Sequence, residues 1–215
     1  MKNNILLCYL VLKDEMGGQM FELPGITDAD YDYENPYTFK FEIMDVYKGL
    51  KWSDVAISHI DIVLCCFAEN TTLLSNTEVI PISEITNGNS IITIDINNGV
   101  IANTEIVKTA KQTHLSLLKI STISKQIEIT PDHPLYIKDC GFMSFNKILK
   151  MKGLENYSDL INEIEILTWN TEKKELQYEK LSSVELVKGV FHTYGILELK
   201  KGSTFIANGF VNKVY

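Results

Sequence analysis

Ile129-Thr130-Pro131-Asp132-His133-Pro134-Leu135-Tyr136-Ile137 places an Asp-His pair between two prolines, straight after the β-rich run Gln126 to Ile129. Proline fixes φ and Asp favours turns, so the pair reads as a rigid turn that ends a strand. Working outward, the same alternation of short β-rich run and turn recurs. Upstream, Ile91 to Ile96 alternates and ends in Asn97-Asn98-Gly99, a hairpin signal, and Ile101 to Lys108 and His114 to Ile120 follow. Downstream, Ile164 to Trp169 and Leu176 to Tyr178 flank the polar hairpin Asn170-Thr171-Glu172-Lys173. Val184 to Val187, Tyr194 to Leu199 and Thr204 to Ala207 complete the series, with Lys200-Lys201-Gly202 turning between the last two. Gly141 to Leu149 has room for one helical turn, and only Tyr157 to Ile166 invites a longer helix. Short strands at this spacing predict an all-β protein.

Composition narrows the function classes. The chain has 215 residues with 20 cationic and 28 acidic side chains, a formal charge of −8. Every cation is Lys. An acidic chain without guanidinium groups argues against a nucleic-acid partner, whose phosphates and guanines are met mostly by clustered basic residues and Arg. Hydrophobic residues at 45% suffice for a real core. No apolar run reaches the ~18 residues of a membrane span. The Cys and His residues lack Cys-x-x-Cys or His-x-x-x-His spacing, so neither a structural zinc nor a cofactor is expected. The apolar run Ile5 to Leu12 is short for a signal peptide and lacks a small-residue cleavage site, so it reads as a buried strand. The compartment and the oligomeric state are left open.

Chemistry concentrates in two stretches: Cys66-Phe67-Ala68-Glu69-Asn70-Thr71 and Thr130 to Pro134. A thiol is the best side-chain nucleophile near neutral pH, and a His can move protons to or from a leaving group. Taken singly, a Cys before Phe is as a rule a core residue, and an Asp-His between prolines a surface turn. Their order and spacing carry more. Cys66 followed by Phe67 and Thr71, then Thr130-x-x-His133-Pro134, then Tyr194 and Thr204-Phe205-x-Ala207-x-Gly209 form three blocks in sequence. In these blocks, from Cys66 to Tyr215, the sequence resembles the Hint domain, the self-processing module of inteins, hedgehog C-terminal domains and bacterial intein-like domains.

The resemblance implies a horseshoe-like Hint β-sandwich over residues 66–215, with first and last blocks brought together. It also implies a single-turnover, cysteine-dependent autoproteolysis. The Cys66 thiol attacks the Cys65 carbonyl in an N-to-S acyl shift, leaving a thioester. Thr130 holds the scissile peptide, and His133 protonates the departing Cys66 nitrogen. Water, a small thiol or another nucleophile then releases residues 1–65, so the chain's own N-terminal segment is the substrate. Inteins end in His-Asn, but the aligned dipeptide here is Lys213-Val214. Cleavage without splicing is therefore expected, and Asn212, lying two positions early, is not expected to cyclise. The gap from Leu149 to Tyr194 leaves no room for a homing endonuclease, and no downstream segment is expected for ligation. Val100 to Gln126 holds no Asp, against the sterol-activating Asp of hedgehog domains.

Secondary candidates at the site are His192, close to Tyr194, and Cys65 and Asp132, read as a bystander thiol and a turn former. Cys140 and Cys8 are read as core thiols. Upstream, Phe41 to Gly49 and Trp52 to Ser58 resemble the closing strands of discoidin-like, galactose-binding-like sandwiches. Residues 1–65 are too few for a complete one. The competing function is a Hint-like fold that no longer cleaves and serves as a structural or interaction module attached to that carbohydrate-binding remnant.

Overall fold

The computed structural model describes residues 65–76 and 78–214. The readings made for residues 1–64, including the Ile5 to Leu12 strand, the discoidin-like strands, Cys8 and the division between residues 65 and 66, lie outside or at the edge of these residues.

Two very long strands organise the fold: β5 (Ile101–Thr122) and β10 (Glu175–Leu199). They pair antiparallel from Leu181↔Thr122 to Leu199↔Ile106. Each is the second half of a hairpin. β4 (Ser90–Ile94) turns through the Asn97–Gly99 segment into β5, and β9 (Glu165–Asn170) turns through the residues after Asn170 into β10. The short strands are β1 (Phe67–Ala68), β2 (Thr72–Leu74), β3 (Val79–Pro81), β6 (Gln126–Ile129), β7 (Leu135–Ile137), β8 (Gly141–Met143), β11 (Thr204–Ala207) and β12 (Phe210–Lys213). They line the sheet in the order β3-β2-β11-β12-β7-β9-β10-β1-β6-β5-β4, with β8 against β7. The result is the all-β horseshoe.

The sequence reading broke each long strand into pieces, two for β5 and three for β10. The breaks have a physical origin. Pairing shifts register between Leu181 and Ser183, between Lys188 and Phe191, and again after Ile196. An extra residue at a bulge bends a strand and flips its inward face, so alternation fails although pairing continues.

The helix readings also move. Helix α1 (Phe145–Lys152) is longer than the single turn expected. Ser144 caps it by accepting from the Lys147 N–H, and Phe145, Ile148 and Leu149 form its buried face. The expected helix at Tyr157–Ile166 is one 3₁₀ turn, Tyr157–Leu160, followed by β9. Cys140, expected in the core, is exposed, because it sits on the turn between β7 and β8 beside Asp139, which has φ +63°. The main core gathers Phe67, Leu118, Ile129, Leu135, Phe205 and Phe210 from six strands. The first and last blocks therefore meet inside one apolar cluster.

Candidate functional site

β1 begins immediately after Cys66 and is only two residues long, yet it is wedged between two partners. Phe67 pairs with Ile129 of β6 and with Tyr194 of β10. This wedge sets Cys66 against the end of β6, where Thr130 opens the Pro131–Pro134 turn. Two hydrogen bonds clamp the pair: the Cys66 N–H donates to Thr130 Oγ1 at 3.0 Å, and the Thr130 N–H donates to the Cys66 carbonyl at 2.9 Å. Cys66 and Thr130 are both fully buried. The amide held by Thr130 is the one that joins Cys65 to Cys66.

The turn is closed by the His133 N–H donating to the Thr130 carbonyl at 3.0 Å, so His133 hangs from the residue that grips Cys66. Its ring stands edge-on to Phe67 with centroids 4.2 Å apart. Burial pulls its pKa down from 6.5 to about 3, while the hydrogen bond with Asn212 works the other way. His133 is thus neutral at pH 7. Nε2 lies 3.2 Å from Asn212 Oδ1, and Nδ1 is buried without a hydrogen-bond partner.

Cys65 is half-buried, and its thiol lies 3.5 Å from the backbone carbonyl of Asp132, to which it donates. Asp132 does form the turn, but it is buried rather than solvated. Its carboxylate accepts from Asn146 Nδ2 of α1 at 2.9 Å, and Asn146 in turn accepts from the Tyr157 hydroxyl. The helix thereby braces the turn that carries His133. His192 stays apart from these groups. Thr193 and Gly195 turn inward on β10, whereas His192 turns outward and lines a shallow surface depression with Ala68, Glu69 and Phe191. The strand's two-residue period puts it on the wrong face.

Asn212 was weighed from sequence only as a cyclising residue, and Gly195 was not singled out at all. Asn212 is fully buried on β12. Gly195 faces the Cys65–Cys66 peptide so closely that a Cβ there would lie 3.3 Å from the Cys65 carbonyl oxygen and 3.4 Å from Cys66 Sγ. The Cys66 thiol and the Cys65 carbonyl thus share one floor, where a side chain would fit only tightly against the carbonyl. Among the described residues no group of three or more His, Cys, Asp or Glu is placed to hold a metal ion, and no helix is long and apolar enough to cross a membrane.

Solved structures with this arrangement of strands exist. A bacterial intein-like domain from Clostridium thermocellum superposes with a TM-score of 0.55 at 18% identity, over 69% of this chain and 97% of that one. The fold is that of the intein-like Hint domains. A DnaB intein from Synechocystis sp. PCC 6803 gives a TM-score of 0.57 at 12% identity, over 70% of this chain and 99% of its own. A DnaX mini intein from Spirulina platensis gives 0.52 at 17%, over 69% and 98%. No family model and no curated protein matches the sequence. The Hint fold here runs through both long strands to β12, so it contains all three sequence blocks.

Proposed function

We propose that the Hint-fold unit is a self-cleaving domain that breaks its own Cys65–Cys66 bond by an N-to-S acyl shift, without splicing. The observation that carries this reading is the clamp on one peptide group. The N–H of the scissile amide donates to a buried threonine hydroxyl, and a buried histidine hangs from that same threonine. A core cysteine has no need of either.

The proton balance assigns the steps. A neutral His133 has no surplus proton to give, so it first acts as base. The Cys66 thiol proton passes to His133, the sulfur attacks the Cys65 carbonyl carbon, and the carbon–nitrogen bond breaks. The proton then passes from His133 to the Cys66 nitrogen. Such general base and acid help is worth about 10²–10⁴-fold. Thr130 aligns the amide throughout, and Gly195 gives the thiol space beside the carbonyl. Water or a small thiol then opens the thioester, releasing residues 1–65 with the Cys65 carboxyl group or its thioester at their end.

Mass spectrometry of the purified chain tests this, with and without hydroxylamine or dithiothreitol, against Cys66→Ala. Cleavage before Cys66 in wild type and an intact Cys66→Ala chain are expected. Wild type that stays full length in both reagents would overturn the proposal and favour the non-cleaving interaction module. A product that starts at another residue would overturn the assigned bond.

A further inference from the structure

His133 is anchored from three directions, and only one of them reads its ring nitrogens. The backbone bond to Thr130 places the residue, and the Phe67 ring sets its plane. The third contact comes from the far end of the chain, where Asn212 of β12 faces Nε2. Neither orientation nor tautomer is free at that contact. The Asn212 amide also touches the Phe210 carbonyl, with Nδ2 at 2.8 Å. A carbonyl oxygen only accepts, so the amide nitrogen must face Phe210 and Oδ1 must face His133. Oδ1 in turn only accepts, so Nε2 must carry the ring proton. In a neutral imidazole that leaves Nδ1 bare, and Nδ1 is the buried nitrogen without a partner.

We propose that Asn212 is a positioning residue that locks His133 in the Nε2–H tautomer, so that Nδ1 is the ring nitrogen left bare to take up and return a proton. The inference rests on the cleavage reading for its purpose, but the tautomer lock stands on hydrogen-bond geometry alone. It gives the last strand of the fold a task in the chemistry of the first. β12 is held in place for this by pairing with β7 at Asn212↔Leu135, two residues beyond His133, and with β11 at Phe205↔Asn212. Hydrogen bonds to the non-reacting nitrogen of a functional histidine set its tautomer and its basicity, as partners beyond the direct ligands do at metal sites. The ionisable groups tied to the same turn are the Asp132 carboxylate, held by Asn146, the Cys65 thiol, which donates to the Asp132 carbonyl, and the thiol of Cys66, whose backbone N–H donates to Thr130, in the segment just before β1.

The test has two readouts on the full chain. In the first, Cys66→Ala keeps the bond intact, and long-range ¹H–¹⁵N spectra read the imidazoles, with His133→Gln identifying the resonances of His133. A single Nε2–H tautomer is expected, with a mixed or Nδ1–H population once Asn212→Leu is added. Asn212→Asp, nearly isosteric, should keep Nε2–H and raise the His133 pKa. An Nδ1–H tautomer in the Asn212 chain, or spectra unchanged by both substitutions, would overturn the proposal. In the second, cleavage by chains with Cys66 is followed from pH 5 to 7. Asn212→Leu should slow it tenfold or more, and Asn212→Asp should cleave near the wild-type rate at pH 7 but lose rate toward pH 5. A rate–pH profile that neither substitution alters would overturn the positioning role. A wild-type chain that never cleaves would overturn the proposed function, while the spectra still decide on Asn212.

Discussion

At the scale of single residues, the site depends on two atoms that do no chemistry. Thr130 Oγ1 is the acceptor for the Cys66 N–H, and both are out of water. Thr130→Val keeps the shape and removes the acceptor. A buried donor left unsatisfied costs about 1–3 kcal/mol, so cleavage should slow by about 10- to 100-fold in a timed gel or mass assay. Gly195 is the opposite case, since what matters is an absent atom. In Gly195→Ala the new methyl would press on the Cys65 oxygen, which must then shift by a few tenths of an ångström, and would lie in contact with Cys66 Sγ. Small misplacements of reacting atoms are expensive in rate, and Ala is tolerated in a strand. The expected outcome is a cleavage rate lower by about tenfold with little change in Tm. An unchanged rate would show that the thiol does not react from this position. Thr130 was legible in the sequence because the Thr-x-x-His spacing is local. Gly195 was not, and Asn212 was weighed only for cyclisation, because their places beside the site come from strands that meet only in the folded chain.

At the scale of elements, turns carry the precision and long strands carry the span. The β11–β12 hairpin turns through Asn208 and Gly209, with φ +47° and +79°, the mirror-image turn that suits strand twist. Asn208 accepts from the Thr72 N–H and hydroxyl at 2.8 Å, which ties this hairpin to β2. Gly209 lies under Lys125, where a Cβ would meet Cδ and Cε at 2.7 Å. Lys125 cannot simply swing aside, because its ammonium is paired with Glu179. Gly209→Ala therefore combines a strained φ with a clash, and should lower the urea-unfolding free energy by about 2 kcal/mol. The turns at Asn97–Gly99 and Asn170–Lys173 were legible from residue type alone, whereas the Asn208-Gly209 turn and β12 beyond it were not read. The lengths of β5 and β10 were not, since bulges erase the alternation that marks a strand. The all-β class survived that error because broken strands are still strands. The 3₁₀ turn before β9 was misread because Tyr157 to Ile166 mixes apolar and polar residues without a clean period.

At the scale of the whole molecule, two buried groups tie stability to pH. The folded pKa of His133 is about 3, below its unfolded 6.5. The folded chain thus binds fewer protons between those values, so this stability is complete above pH 6.5 and is lost as pH falls toward 3. Glu179 adds a second window. Burial alone would raise its carboxyl, but hydrogen bonds from Lys125, Thr122, Ser124 and Gln177 outweigh it and hold the pKa at about 2 against 4.5. That contribution is complete above pH 4.5 and fades below it. The urea-unfolding free energy of the Cys66→Ala chain should fall from pH 6.5 downward, by at most about 1.4 kcal/mol per unit for one group. His133→Gln should flatten the part between pH 6.5 and 4.5 and leave only the Glu179 slope below it. An equal slope in both chains would show that His133 titrates normally.

The burial of Cys66 has one further consequence. Breaking its amide would create an α-amine at a nitrogen shut away from water, where the ordinary pKa of about 7.7–8.0 would be driven down. A neutral amine held beside its own thioester is well placed to attack it and restore the original peptide. The first equilibrium would therefore rest on the side of the intact chain, with the thioester present only in trace amounts. Commitment would fall to whatever arrives next from solution, so the supply of that outside nucleophile, rather than the fold, would set when the chain is cut.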